Sequence, residues 1–262
     1  MLRVACVGDN CIDYYDAAGE AFPGGNPVNV AVYFRRLGLA SSYTGVVGSD
    51  AYGELLRRAL TKKGVDVCRL RTLPGATAVS HVRIVNGDRV FGRYDEGVMA
   101  DFNVTEEDLD FLCTHDLVVT GLWSHMEGAL AAIRARGVPV AFDAADRPFD
   151  PVALTALPSV TVAFFSDDHS GDEALRETLR RIAALGPRIA VATRGSRGSL
   201  AFDGSEFYAC APAPCRVVDT MGAGDSFIAG FLSAWLRGSA ILACMAAGAE
   251  NAAVTIGYRG AW

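Results

Sequence analysis

Apolar positions along this chain switch between a helical and a strand-like rhythm. Residues 4–8 form a short apolar run closed by a glycine and read as a buried strand. Asn26-Pro27 then opens a helix, with Asn26 as N-cap, Pro27 in the first helical position and Gly38 beyond the end. Val30, Ala31, Phe34 and Leu37 supply its apolar face. Residues 42–47 read as a second strand and 52–63 as a second helix, whose core side is Leu55, Leu56, Ala59 and Leu60 and whose stop is Gly64.

Between about 76 and 95 the rhythm changes to alternation around Asn86-Gly87, the signature of a hairpin. Beyond it, Thr105-Glu-Glu-Asp108 resembles a capping box for a helix through Leu112. Strands at 117–122 and 138–143 flank a helix near 128–136. Further strands are expected at 160–165, 189–193 and 199–202, a long amphipathic helix at 173–185, and two helices from Asp225 to about Thr255. Alternating strands and helices predict an α/β fold, with a mostly parallel sheet covered on both faces.

A length of 262 residues, half of them hydrophobic, is enough for a large core. The formal charge of -6 argues against nucleic acid or an anionic membrane as partner. No apolar run reaches the roughly 18 residues of a membrane span, and residues 2–8 are strand-like rather than a secretory leader. Seven cysteines without a Cys-x-x-Cys pair fit a reduced cytoplasmic setting, and four histidines lack metal-ligand spacing. Zinc sites and Cys/His nucleophiles therefore drop out.

Asp219-Thr-Met-Gly-Ala-Gly-Asp225 is the segment richest in chemistry. The residues after it carry apolar side chains at helical spacing, at Phe227, Ile228, Phe231, Leu232, Trp235 and Leu236. Gly222, Ala223 and Gly224 thus sit at a helix N-terminus, where unpaired N–H groups and the dipole favour an anion. Small side chains let a phosphate approach the backbone. Asp225 then places a carboxylate beside that anion, which is repulsive unless the carboxylate accepts a proton from an attacking hydroxyl. The plainer alternative is a glycine turn with Asp225 as a cap.

This string resembles the C-terminal signature of the PfkB (ribokinase-like) carbohydrate kinases. Three more segments resemble that family in the same order: Gly24-Gly-Asn-Pro-Val-Asn-Val-Ala31, Gly45-Val-Val-Gly-Ser-Asp-Ala-Tyr-Gly53 and Thr193-Arg-Gly-Ser-Arg-Gly198. The resemblance implies one ribokinase-like three-layer domain over 1–262, with a small β-lid from about 13–22 and 75–98. It implies ATP and Mg2+, with Asp225 as base and Gly222, Ala223 and Gly224 as anion hole. Asp9, Asp13, Gly25, Asn26 and Asn29 would hold the sugar, and Thr193, Gly195, Gly198, Thr220 and Asn251 the nucleotide. A homodimer through the lid is a further implication. Where many members carry Asn-x-x-Glu, this chain has Ser166-Asp-Asp-His169, so the metal ligands stay open, Asp167 and Asp168 included.

A narrower likeness is to the fructoselysine 6-kinases of that family. It rests on Gly8-Asp-Asn-Cys-Ile-Asp13, the segment 22–33, the segment 88–102 and Gly260-Ala-Trp262. It implies phosphorylation of the 6-hydroxyl of a sugar that carries an amino acid. Arg89, Arg93, Asp95 and Glu96 have charges suited to that amino-acid end, or else form a solvated hairpin face. Another fructosamine, another sugar, a nucleoside and a non-catalytic sugar-binding role remain as alternatives. Gly222-x-Gly224 lacks the third glycine of a dinucleotide fingerprint, and Gly-Lys-Ser/Thr is absent, so neither a nicotinamide dehydrogenase nor a P-loop enzyme is expected.

Overall fold

A computed structural model of the chain describes residues 2–85 and 88–262, the side chains of 84–91 excepted. The order begins β1 (Arg3–Val7), β2 (Cys11–Tyr15), β3 (Glu20–Gly24), α1 (Asn26–Arg36), β4 (Ala40–Gly48), α2 (Ala51–Lys62) and β5 (Asp66–Leu73). It continues with β6 (Val79–Val85), β7 (Asp88–Asp95), α3 (Glu106–Leu112), β8 (Leu117–Gly121), α4 (Leu130–Ala135) and β9 (Val140–Asp143). Then come α5 (Pro151–Ala156), β10 (Val162–Ser166), α6 (Asp172–Ala184), β11 (Ile189–Thr193), β12 (Ser199–Phe202) and β13 (Phe207–Cys210). The chain closes with α7 (Ala223–Leu236) and α8 (Ile241–Thr255).

A nine-stranded sheet runs in the order β13-β12-β11-β10-β9-β8-β1-β4-β5. Its pairings are parallel from β11 to β5, and β12 and β13 add an antiparallel edge. Strand alternation assigns neighbouring residues to opposite faces. On β1, Val4 and Cys6 join a core cluster with α1, α2, α7 and α8, while Ala5 and Val7 join a second cluster with α3 to α6. Helices therefore cover both faces, and the strands are apolar on both sides as buried parallel strands should be. In α6, Leu175, Leu179 and Ile182 fall at helical spacing and supply its buried stripe.

The chain leaves β1 in one direction through α1 to β4 and β5, then returns to the other side of β1 with β8, β9, β10 and β11. That reversal between β1 and β8 opens a crevice at the carboxyl ends of the strands, where ligands bind in open α/β sheets. Gly8 lets the walls of the crevice close on each other: a Cβ there would lie 2.1 Å from Ser124 Cβ, and its φ is 109°. Ser124 Oγ in turn accepts the backbone N–H of Asp9 at 3.1 Å.

A four-stranded sheet in the order β3-β2-β6-β7 stands beside this crevice. β6 and β7 pair antiparallel, with Val85 opposite Asp88. The turn expected at Asn86-Gly87 lies outside the described residues, as does the side chain of Arg89. Asp50 joins the small sheet to the large one: besides capping α2 through Gly53 N–H at 2.8 Å, its carboxylate accepts from Thr77 N–H at 2.9 Å and Thr77 Oγ1 at 2.6 Å. A Cβ on Gly48 would fall 2.4 Å from the Thr77 nitrogen, and one on Gly53 would fall 2.1 Å from the Gly48 carbonyl oxygen. The 45–53 glycine segment is thus a close-packed knot at the root of β6.

One expected cap is displaced. Gly25, with φ of 102°, takes the N-cap position of α1, and Asn26 is the first helical residue. The carboxylate of Asp9 lies near the Asn26 backbone N–H, one of the helix's orphan donors, which partly offsets the effect of burial on it. The Asn26 side chain is thereby free to point into the crevice. The capping box at Thr105 and Asp108 forms as the sequence predicts.

Candidate active site

The first turn of α1 and the first turn of α7 meet at a carboxylate. Asn26 Nδ2 donates to Asp225 Oδ1 at 2.6 Å, and Asn29 Nδ2 donates to Asp225 Oδ2 at 2.7 Å. Asn26 and Asn29 are three positions apart, so one helix face presents both amides. Asn26 Nδ2 also donates to Asp143 Oδ2 at 2.8 Å, at the carboxyl end of β9. Two carboxylates around one amide atom identify that atom as the NH2 group. Asn26 Oδ1 then faces Gly121, where a Cβ would come within 2.9 Å, and it is buried with no hydrogen-bond partner. An orphaned acceptor costs about 1–3 kcal/mol, so the site is arranged for something other than stability.

Burial raises all three carboxylates at the floor of the crevice. Asp225 is pushed up to about 6 by desolvation, against the lowering effect of the Asn29 and Asn26 donors. Asp143 is pushed up to about 7, by desolvation first and then by the charge of Asp225. Asp9, 8% exposed, is also pushed up to about 7 by desolvation, which the Asn26 N–H partly offsets and Asp13 and Asp225 reinforce. Part of the Asp225 surface is still open, so a reactant can reach it although protein atoms crowd its carboxylate. An ordinary carboxylate was all the sequence required; the structure supplies one held nearer neutrality.

Asp13 is buried beside Gly24, where a Cβ would lie 2.3 Å from Asp13 Oδ2. A Cβ on Gly25 would lie 2.6 Å from the Cα of Asn10, so this glycine brings the start of α1 against the end of β1. The structure therefore gathers Asp9, Asp13, Gly25, Asn26, Asn29 and Asp225 at one place. Three neighbours went unread in the sequence. Asp143 was legible as a carboxylate ending a strand, but Tyr94 and His125 had no local signal. Tyr94, on β7, stands close to Asp9: burial first, then the Asp9 carboxylate, pushes its hydroxyl up. His125, with φ of 52°, has Nε2 2.6 Å from Glu96 Oε1.

Gly222 is the N-cap of α7, in the left-handed region at φ 68°. A Cβ there would lie 2.3 Å from Tyr33 Oη, so packing and backbone both demand glycine. Gly224 is different: it is exposed, and a Cβ would meet nothing within 4 Å. Glycine in a helix costs about 1 kcal/mol relative to alanine, and no protein neighbour explains it here. Ala223 lies between them at the start of the helix, and Thr220 is exposed just before the turn.

Thr193 ends β11 beside Ser166 at the end of β10, the two hydroxyls 3.0 Å apart. Gly195 has open space around it, whereas a Cβ on Gly198 would lie 2.1 Å from the Cys210 carbonyl oxygen. Two candidates fall away from this group. The Asn251 side chain is buried, donating to the Ser226 carbonyl at 2.7 Å and accepting from Arg36 at 2.7 Å, so it is spent on joining α7 to α8. Arg93 is 76% exposed and paired with Asp95 at 2.6 Å on the small sheet. For a magnesium ion the carboxylates are not preassembled. Asp167 Oδ1 caps the turn through His169 and Ser170 N–H groups, Asp168 pairs with His169, and among the described residues no three metal-binding side chains cluster. That suits an ion held largely by water and phosphate oxygens.

A match to the pfkB family carbohydrate kinase covers residues 1–262. The chain is 45% identical to fructoselysine 6-kinase of Shigella flexneri over 262 residues, covering 100% of both chains. It is 34% identical to fructosamine kinase FrlD of Bacillus subtilis, over 100% of this chain and 93% of the relative. The solved structure of Arabidopsis thaliana ribokinase complexed with ribose and ATP superposes with a TM-score of 0.87 at 22% identity, covering 99% of this chain and 93% of that one. The fold is accordingly ribokinase-like.

The two glycines of the turn separate by experiment. In thermal unfolding, Gly222→Ala should lower Tm by several degrees, since it adds a clash and left-handed strain of about 1 kcal/mol or more. Gly224→Ala should leave Tm unchanged or slightly raised. A large loss for Gly224→Ala would mean that the turn needs this glycine for its own packing.

Proposed function

The chain belongs to the pfkB family of carbohydrate kinases, and from that premise we propose that it transfers the terminal phosphoryl group of ATP to the 6-hydroxyl of fructoselysine. The observation that carries the reading is the Asp225 carboxylate, oriented by two amides and set beside an open helix N-terminus. The full-length likeness to fructoselysine 6-kinase supports the choice of substrate.

In this reading the 6-hydroxyl oxygen bonds to the γ-phosphorus as the bond to the β,γ-bridging oxygen breaks, and ADP leaves. The hydroxyl proton passes to Asp225, which is ionised when pH lies above its raised midpoint near 6. N–H groups at the start of α7, beside Gly222, Ala223 and Gly224, receive the negative charge of the phosphoryl oxygens. Asn26 and Asn29 hold Asp225 in place, and Asp9 and Asp13 are acceptors for sugar hydroxyls. Thr193, Gly195, Gly198 and Thr220 face the nucleotide. Magnesium, when bound with the nucleotide, neutralises phosphate charge, and Asp167 or Asp168 would reach it through water.

The amino-acid end of the substrate falls to the edge between the small sheet and the body. There Glu96 and His125 form a pair, and Tyr94 leans on Asp9. Arg93 would have to leave Asp95 to take part. The small sheet is the lid of this reading, and 1–262 is one kinase domain. A homodimer through the lid accords with Phe22 on β3, which is 37% exposed. No helix of the described residues is long and apolar enough to cross a membrane, and the cytoplasm is the proposed setting.

Asp225→Asn should bind ATP and sugar much as before while kcat falls by at least about a hundredfold, as expected for the loss of a positioned base. Near-normal turnover would remove Asp225 from that role. An ADP-release assay with ATP and magnesium should give turnover with fructoselysine well above fructose, ribose or adenosine. Preference for another compound would keep the kinase and replace the substrate, and sugar binding without turnover would favour a binding protein.

A further inference from the structure

We propose that Trp262 is a positioning residue for the base: its indole N–H fixes the Asn29 amide so that Nδ2 faces Asp225. The inference rests on the reading of Asp225 as proton acceptor.

Trp262 Nε1 donates to Asn29 Oδ1 at 2.8 Å. An indole N–H can only donate, so the amide atom that receives it must be the oxygen. The other end of the amide is then the NH2 group, and it lies 2.7 Å from Asp225 Oδ2. Without the indole, the amide of Asn29 has no partner that tells its two ends apart except the carboxylate itself. With it, the donor is set before any substrate arrives. Asn29 is 5% exposed, so water is a poor replacement for the indole.

The segment around Trp262 is fastened to the same elements that build the base. Asp219 Oδ2 accepts Gly260 N–H at 2.8 Å, while Asp219 Oδ1 accepts Met221 N–H at 2.9 Å inside the α7 turn. The Ala261 carbonyl accepts from the Tyr33 hydroxyl of α1 and, at 3.1 Å, from Tyr258. Ala261 also backs the turn: a Cβ on Gly222 would lie 3.1 Å from Ala261 Cβ. Lys63 Nζ stands 5.5 Å from the centre of the indole ring, and Arg259 reaches Glu20 of the small sheet at 3.0 Å. Residues 258–262 therefore span α1, the turn before α7 and the small sheet, and Trp262 is the part that touches the amide.

Trp262→Phe keeps an aromatic ring for packing and removes only the donor. Its kcat should fall by about tenfold or more, as small losses of alignment do, with the KM for ATP unchanged. The side-chain carboxyl of Asp225, followed by carbon NMR in the free enzyme, should titrate at higher pH than in the wild type, because the Asn29 donor that favours the charged form is loosened. Asn29→Ala should move it in the same direction. Trp262→His, which retains a ring N–H, should recover part of kcat, and it carries the test if the phenylalanine variant does not fold. A wild-type kcat and an unmoved Asp225 titration in Trp262→Phe would overturn the proposal. So would a lower Tm and kcat with the titration unmoved, since that pattern is structural support alone. If the wild type leaves fructoselysine untouched while the Asp225 titration still follows Trp262, the substrate assignment fails and the positioning role stands.

Discussion

Two amide donors, one to each oxygen of a single carboxylate, are the contact around which this site is built. In the proposed function Asp225 accepts a proton, yet it sits where desolvation favours its protonated form. Hydrogen bonds from Asn26 and Asn29 oppose that tendency and fix the direction of both oxygens. The contact demands that the first turns of α1 and α7 face each other. Pro27, Val30, Ala31 and Phe34 of α1 are buried accordingly, and the turn at Gly222 admits Tyr33 where any larger residue would exclude it. α8 holds α7 from behind through Asn251, and glycines at the helix crossing keep the two close: a Cβ on Gly230 would lie 2.9 Å from the Gly248 Cα.

This arrangement trades stability for chemistry. Asp9, Asp143 and Asp225 all have midpoints raised above those of an unfolded chain. Each therefore binds its proton more tightly when folded. Their contribution to folding is fully present in acid, below about pH 4, and is lost as pH rises through 6 to 7. Near neutrality the fold carries buried carboxylates close to their charged state, together with the orphaned oxygen of Asn26. Hydroxyl-rich or cationic ligands are the chemistry that relieves such a site, and a sugar joined to an amine offers both.

Much of this was legible in the sequence where the signal is local. The capping box at Thr105, the strands at 189–193 and 199–202, and the helix after Asp225 follow from caps and spacing. The likeness of the glycine strings to a known family put Asn26 and Asn29 forward as sugar-holding residues and Asp225 as base; the structure brings the three side chains together, with both amides on the carboxylate. β5 and β13 went unread: β5 is an edge strand that mixes charged Asp66, Arg69 and Arg71 with apolar residues and fully buries only Leu70. Asn26 looked like a cap because Asn-Pro starts helices; nothing local says that Asp9 will lie near its backbone N–H instead. Trp262 and Asn29 are 233 positions apart, and Asn26 and Asp143 are 117 apart. Contacts of that span leave no period in the chain, so the partners that orient Asp225 emerge only from the fold.

The pH dependence of kcat/KM with fructoselysine tests the central claim, that a half-buried and amide-clamped Asp225 takes the proton. If Asp225 is the acceptor, turnover needs its ionised form, so the rate should fall on the acid side, with a midpoint between about 6 and 7. Asp225 and its raised neighbours Asp9 and Asp143 titrate together in that interval. Above it the rate should be flat until other groups titrate. A rate that stays level down to pH 5, with its acid limb near the ordinary carboxylate value of about 4, would contradict the account.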